Sequence, residues 1–180
     1  MDIGVVILAA GQGSRMKSAL PKVMHPLAGK PMLRHVIDTG QALGAAQCVV
    51  VYGHGGEYVR DRIIDPGVEW ALQEEQLGTG HAVMQAMPLL QDVDRVLILY
   101  GDVPLIRAET LQHLIDVSRD TALGMLTVTL DDPAGYGRIV RDEEGAIQRI
   151  VEHKDATAEE LALHEVNVGM VLVDRQRLDG

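Results

Sequence analysis

Along the first part of the chain, short unbroken apolar runs alternate with amphipathic stretches. Ile3-Gly-Val-Val-Ile-Leu8, Cys48-Val-Val-Val-Tyr52 and Arg95-Val-Leu-Ile-Leu-Tyr100 are apolar and rich in β-branched residues, and Val68-Glu-Trp-Ala-Leu72 is a weaker run of the same kind. Continuous apolar strands of this length are buried on both faces, as in a parallel sheet. Between them, Pro31 to Leu43 places Met32, Leu33, Val36, Ile37 and Leu43 at near-helical spacing, with Gly44 as a C-cap. Further helices are predicted over Glu57 to Ile64, over Thr79 to Leu90 with Pro88 fraying its end, and over Ala108 to Ser118. Strands alternating with helices of this length imply a parallel sheet with right-handed crossovers.

After residue 124 the pattern changes. Met125-Leu-Thr-Val-Thr129, Arg138-Ile-Val-Arg141 and Ala146 to Val151 read as strands separated by turns such as Asp131-Asp-Pro133 and Glu143-Glu-Gly145. Thr157 to Leu163 reads as a short helix with Glu160 at capping-box spacing, and Val166 to Val173 as a returning strand. The fold class is therefore α/β, Rossmann-like, with a mainly parallel central sheet and a β-rich extension. No repeat, low-complexity run or linker interrupts the sequence, so residues 1–180 are expected to form a single domain.

Composition narrows the function classes. The chain has no Phe and one Trp, so its core must be aliphatic, and platforms on which single-stranded nucleic acid could stack are not expected. A formal net charge of -10 repels polyanions, which argues against a nucleic-acid partner. The single Cys48 sits among valines and reads as a small buried hydrophobe. Met1-Asp2-Ile3 leads straight into a strand without a basic leader. No apolar run reaches the roughly 18 residues of a membrane span. These features predict a cytoplasmic protein with no membrane partner.

Against this acidic background one stretch is basic. From Gly11 to His35 there are Arg15, Lys17, Lys22, Lys30 and Arg34 and no Asp or Glu. The stretch begins in Leu8-Ala-Ala-Gly-Gln-Gly-Ser-Arg-Met-Lys-Ser-Ala-Leu-Pro-Lys22, which leaves the carboxyl end of the first strand. Gly11 and Gly13 leave no Cβ between backbone N–H groups and an anion, and Arg15 and Lys22 add full charge. Neither Gly-x-Gly-x-x-Gly nor a Walker loop fits, because Met16 stands at the third glycine position and no Gly-Lys-Ser/Thr follows. A local anionic ligand, such as a phosphate, explains a basic island in an acidic chain; a tight strand-to-helix turn is the plain alternative.

Other candidate chemistry lies at further strand ends. Asp102, in Tyr100-Gly-Asp-Val-Pro-Leu105, follows the most apolar strand and is a hard oxygen ligand suited to Mg2+. An Asp there can equally cap a turn. Gln73-Glu-Glu-Gln-Leu-Gly-Thr-Gly-His-Ala82 offers Gln73 and Gln76 as amide groups able to read a nucleobase edge, or reads as a polar loop with Thr79 as N-cap. Gly135-Tyr-Gly-Arg-Ile139, Val151-Glu-His-Lys-Asp155 and Val166-Asn-Val-Gly169 put Gly137, Glu152 and Asn167 at the margins of apolar strands. The seven His residues are scattered, without zinc spacing, and no Gly-x-Ser-x-Gly elbow is present.

In this order and at these spacings the blocks resemble the amino-terminal half of the bacterial bifunctional N-acetylglucosamine-1-phosphate uridyltransferase/glucosamine-1-phosphate acetyltransferase family, over essentially all 180 residues. The Leu-Ala-Ala-Gly-x-Gly-Ser-Arg-Met loop alone points to sugar-phosphate nucleotidyltransferases at large. Gln-Leu-Gly-Thr-Gly-His-Ala, Tyr-Gly-Asp-Val-Pro-Leu, Gly-Tyr-Gly-Arg-Ile and Val-Glu-His-Lys-Asp-Ala narrow the resemblance. It implies a nucleotide-diphospho-sugar transferase fold whose β-rich extension binds the sugar. Its reaction is UTP plus N-acetylglucosamine 1-phosphate giving UDP-N-acetylglucosamine and pyrophosphate, for cell-wall precursors. By resemblance, Leu8, Ala9, Ala10 and Gly11 line the uridine side, and Arg15 and Lys22 contact the triphosphate. Gln73, Gln76, Gly78 and Thr79 surround uracil and sugar, Asp102 binds Mg2+, and Tyr100, Gly101, Gly137, Glu152 and Asn167 shape the sugar pocket. Arg15, Lys22 and Asp102 are the catalytic candidates. The family's chain continues past residue 180 into a second metal ligand and a β-helix that carries the acetyltransferase and builds a homotrimer. The chain is thus expected to be a fragment without acetyltransferase activity. The alternatives are a nucleotidyltransferase for another sugar 1-phosphate and a non-catalytic nucleotide-binding module.

Overall fold

The computed structural model describes residues 1–11 and 18–178. The chain divides into two compact units, one formed by Met1–Gly124 with the chain from Val171 onward, the other by Met125–Met170.

The first unit is built on four parallel strands, β1 (Ile3–Leu8), β4 (Gln47–Gly53), β5 (Glu69–Gln73) and β6 (Arg95–Tyr100), in the order β5-β4-β1-β6. Two small strands, β2 (Pro26–Leu27) and β3 (Lys30–Pro31), form a separate hairpin whose turn holds Ala28 at φ 51°. The end of a long strand, β10 (Glu165–Asp174), pairs antiparallel with β6 through Val171–Asp174. The continuous apolar runs have their cause here, since Val5, Val6, Ile7, Val49, Val50, Val51, Val96, Leu97 and Leu99 are all buried. Alternate residues serve opposite faces. Val6, Val49, Val51 and Val96 pack with Ala82, Val83, Ala86 and Leu90 of the segment containing α3 (Thr79–Ala86). On the other face α1 (Met32–Ala42) comes close enough that a Cβ on Gly40 would lie 3.2 Å from Val5 Cγ1. Each fully buried Val, Ile or Leu contributes on the order of 1.5–3 kcal/mol, which makes up for the missing aromatic residues.

The predicted elements recur with small shifts at their ends. The helix after β4 is α2 (Glu57–Arg62), and α4 (Ala108–Val117) follows β6. Gly44 takes φ 72° just past α1, as a C-cap glycine does. α3 stops at Ala86 and gives way to a 3-10 turn, Met87–Leu89, around Pro88, which has no N–H to continue the helix. Thr79 is not the N-cap; Gly78 is, at φ 107°. Cys48 is buried, and that burial pushes its thiol up to about 12. Arg95, read as the first residue of an apolar strand, is also buried, and its charge is met by Asp174 at 3.1 Å and by the carbonyls of Ser118 and Thr121.

In the second unit β8 (Arg138–Arg141) pairs antiparallel with β9 (Ile147–Val151), with an irregularity at Val140/Arg141, and Val166 of β10 lies opposite Arg138. The unit begins within β7 (Leu123–Thr129) and includes α5 (Ala158–Leu161). The predicted capping box on α5 is formed, with Thr157 accepting from the Glu160 N–H and Glu160 from the Thr157 N–H.

Candidate active site

In the order β5-β4-β1-β6 the chain winds outward from β1 to β4 and β5, and β6 lies on the other side of β1. The order therefore reverses between β1 and β6, the place where an open α/β sheet leaves a crevice beyond its carboxyl ends. Leu8 and Tyr100, the last residues of those strands, are register partners. A cleft of about 440 Å³ opens there, lined by the segment 8–11 and by Lys22, Val23, Gln73, Gln76, Gly78, Thr79, Ala82, Tyr100 and Asp102.

Backbone hydrogen bonds hold the rim of this cleft. The Ala9 N–H donates to Val51 O at 2.8 Å and the Gly101 N–H to Leu8 O at 2.9 Å, so the residues just past β1 and β6 are tied to neighbouring strands. Gln76 Nε2 donates to Ala10 O at 2.7 Å and joins the far wall to the same segment. The joint is close: a Cβ on Gly53 would lie 2.8 Å from Ala10 O and 3.0 Å from Gln76 Nε2, so only glycine fits at the end of β4. Gln73 is buried, and its Nε2 lies 3.1 Å from both Gly78 O and His81 Nδ1.

Lys22 and Asp102 face each other in this cleft. Lys22 opens a 3-10 turn, Lys22–Met24, and its Nζ lies 2.5 Å from Asp102 Oδ2. Both side chains remain partly exposed, at 41% and 28%, so a ligand can reach either. An ammonium and a carboxylate in contact offer a phosphate a cation and a metal ion an oxygen, provided the pair exchanges partners.

The residues expected on the nucleotide side, Leu8, Ala9, Ala10, Gly11, Lys22, Gln73, Gln76, Gly78 and Thr79, line this cleft together with Asp102, the expected metal ligand, and Tyr100, expected at the sugar. Gly101 is not among the lining residues. It packs inward, where a Cβ would lie 3.1 Å from Leu33 Cδ1 and 3.3 Å from Leu8 O. Gly13 and Arg15 lie outside the described residues. Two bases of the basic island are taken up by ion pairs within the fold. Lys30 pairs with Asp38 at 2.5 Å, and Arg34 pairs with Asp38 and Asp65, each at 2.6 Å. Hydrogen bonds from the Gly67 N–H, Gln41 and Arg34 hold the Asp65 carboxyl below its ordinary value. Those two bases neutralise Asp38, which lies just past the counted segment, and Asp65, 31 positions from Arg34, neither of which charge counting within the segment includes.

The remaining candidates, Gly137, Glu152 and Asn167, belong to the second unit and neighbour one another there. The Asn167 N–H donates to Gly137 O at 2.9 Å, and a Cβ on Gly137 would lie 2.9 Å from Ile150 Cγ2 and 3.4 Å from Glu152 Oε1. Asn167 Oδ1 accepts from the Gly169 N–H at 2.8 Å. The buried Arg138 guanidinium fixes the turn before Gly137 by donating to Pro133 O at 2.7 Å and Tyr136 O at 2.5 Å.

Sequence reasoning missed Val23, Ala82 and His81. Ala82 lies one helical turn beyond Gly78 and could have been found by that spacing. Val23 carried no signal beyond its place next to Lys22. His81 showed nothing distinctive in a chain with scattered histidines.

The chain matches the MobA-like NTP transferase domain over residues 5–161. It belongs to that family. This transferase domain is 58% identical over 176 residues to the bifunctional protein GlmU of Burkholderia orbicola, across 98% of its own length and 39% of the relative's. The GlmU protein of Burkholderia thailandensis is 59% identical over the same coverage. The chain thus spans 39% of the length of these curated relatives. Among solved structures, a UDP-glucose pyrophosphorylase complexed with UDP-glucose superposes with a TM-score of 0.82 at 15% identity, covering 99% of this chain and 78% of that one. HddC from Yersinia pseudotuberculosis gives 0.74 at 23%, covering 98% and 78%. Those likenesses establish a shared α/β nucleotidyltransferase fold. Among the described residues no helix is long and apolar enough to cross a membrane.

Proposed function

We propose that the chain transfers the uridylyl group of UTP to N-acetylglucosamine 1-phosphate, giving UDP-N-acetylglucosamine and pyrophosphate. The observation that carries this reading is the Lys22–Asp102 pair in a cleft at the switch point of the sheet. It is supported by 58% identity to GlmU proteins along nearly the whole chain. The attacking atom is an oxygen of the sugar phosphate, which is already anionic, so the reaction needs no general base. A bond forms from that oxygen to the α-phosphorus of UTP, and the bond from the α-phosphorus to the bridging oxygen breaks, with its electron pair leaving on pyrophosphate. The work for the protein is to hold two anions in line and offset their repulsion. Lys22 serves this by turning its ammonium from Asp102 to the nucleotide phosphates, and Arg15 is assigned the same task.

The carboxylate that Lys22 releases is a donor suited to Mg2+. Among the described residues no group of three His, Cys, Asp or Glu could hold an ion alone. A single Asp completed by substrate phosphates is a usual way to bind Mg2+, so the residues fit. The ion would supply positive charge beside the transferring phosphate, with Asp102 as its protein ligand. Gly137, Glu152 and Asn167 are assigned to the sugar, and the product to cytoplasmic supply of bacterial cell-wall polymers.

Pyrophosphate release from UTP with N-acetylglucosamine 1-phosphate and Mg2+ tests the proposal. The expected result is release matched by UDP-N-acetylglucosamine. A strong preference for another sugar 1-phosphate would redefine the substrate, and nucleotide binding without turnover would make the chain a binding module.

A further inference from the structure

Lys22 stands on a segment that cannot hold its own shape. The 3-10 turn Lys22–Met24 runs into the two-residue strands β2 and β3, and Pro21, Pro26 and Pro31 each remove a backbone donor. A hairpin that short is not stable alone, so its position is set from outside. The outside element is α1. At its start the Met32 N–H donates to His25 O at 3.0 Å, and the His25 N–H donates to Lys22 O at 3.2 Å. One helical turn on, His35 Nε2 lies 2.8 Å from Leu27 O in β2. A carbonyl can only accept, so Nε2 carries the hydrogen, as it does in the imidazolium and in one neutral tautomer. Lys30 of β3 also reaches α1, through Asp38, but that pair is 40% and 37% exposed and worth little.

The same helix fixes the residue next to Asp102. A Cβ on Gly101 would lie 3.1 Å from Leu33 Cδ1 of α1 and 3.3 Å from Val23 Cγ1. Val23 follows Lys22, Gly101 precedes Asp102, and Val23 and Leu33 are both buried. Resting on the uridylyl reading above, we infer that His35 is a positioning residue for Lys22, its ring N–H holding the hairpin on α1 so that the ammonium keeps its place opposite Asp102. His35 is not among the residues lining the cleft, so it influences the nucleotide only through Lys22. A shift of the turn by about 1 Å would draw Val23 from Gly101 and the ammonium from the phosphates, and displacements of that size can cost on the order of 10²-fold in rate.

The test combines amide hydrogen exchange with pyrophosphate release from UTP and N-acetylglucosamine 1-phosphate. It compares the 180-residue chain with its His35→Ala, His35→Gln, Lys22→Ala and His35→Ala/Lys22→Ala variants, with thermal melts to verify folding. In His35→Ala, exchange over residues 22–32 should quicken on the order of three- to tenfold, the equivalent of about one net hydrogen bond, while residues 95–100 stay unchanged. The same substitution should lower kcat on the order of tenfold with Lys22 present and by less than about twofold in the Lys22→Ala background. Gln carries an amide N–H at similar reach, so His35→Gln should restore both exchange and kcat. Equal losses of kcat in the two backgrounds, or unchanged exchange over residues 22–32 in His35→Ala, would overturn the inference and leave the uridylyl reading standing. If the unsubstituted chain released no pyrophosphate, that reading would fall and this inference with it.

Discussion

Lys22 and Asp102 restrain each other before any substrate arrives, so neither can be judged alone. Their contact is partly exposed, and pairs of this kind contribute about 0–1 kcal/mol to stability, so replacing either should barely move the melting temperature. In pyrophosphate release, Asp102→Asn and Lys22→Ala should each lower kcat by roughly 10²-fold or more, since charge on the transferring group matters most in the transition state. The double variant should lose much less than the product of the two, because groups that act as a unit are not additive. Fully multiplicative losses in kcat/KM would show that the two act on separate steps. Both residues were legible in the sequence, one as a base in a glycine-rich segment and the other as an Asp at the end of an apolar strand. Their pairing was not, because 80 positions separate them and only the sheet order joins them. The same holds for Gln76 on Ala10 O and for Arg34 on Asp65, where a side chain's donors are claimed by distant partners.

At the scale of elements, apolar runs and helical spacing carried β1, β4, β6, α1 and α4 to within a residue or two, since those signals report burial on a regular lattice. Short elements without that signal escaped. The β2–β3 hairpin turns on Ala28 at positive φ, and the 3-10 turn at Lys22 is too brief to have a periodicity. The start of α3 at Thr79 was read correctly, but the alternative that made Thr79 its N-cap fails, because the cap is the glycine before it. Gly78 holds φ 107° and ψ -179°, a region essentially closed to other residues, and its carbonyl receives Gln73. Gly78→Ala should therefore cost about 1–3 kcal/mol and lower the melting temperature by roughly 2–10 °C, with weaker UTP binding. No added side chain would collide, since nothing lies within 4 Å of a Cβ there. A Gly78→Ala chain with unchanged melting temperature and UTP affinity would mean that the segment relaxes without strain.

For the molecule as a whole, the change of pattern after residue 124 coincides with the boundary between the two compact units at Gly124. The return of the chain at Val171 was hidden inside one strand, because β10 keeps an apolar pattern throughout and periodicity cannot show a change of partners. The second unit is rich in exposed polar positions, and β9 is largely exposed, so ionic contacts weigh more there. Glu165 is the clearest case. Arg141 grips its carboxylate through two bonds of 2.8 and 2.6 Å and Thr127 donates at 2.7 Å, which holds the carboxyl down at about 2. A carboxyl lower in the folded chain than its ordinary 4.5 contributes stability that is complete above that value and is lost as pH falls through about 2. Because the Arg141 side chain is 40% exposed, solvent screening limits the gain to about 1 kcal/mol. Glu165→Gln should thus be less stable than the unsubstituted chain at pH 7, with the difference shrinking below pH 4.5 and vanishing near pH 2. Hydrogen exchange of residues 125–170, compared between the two chains across that range, measures it. A difference that stayed constant from pH 7 to pH 2 would assign the contribution of Glu165 to packing and not to its charge.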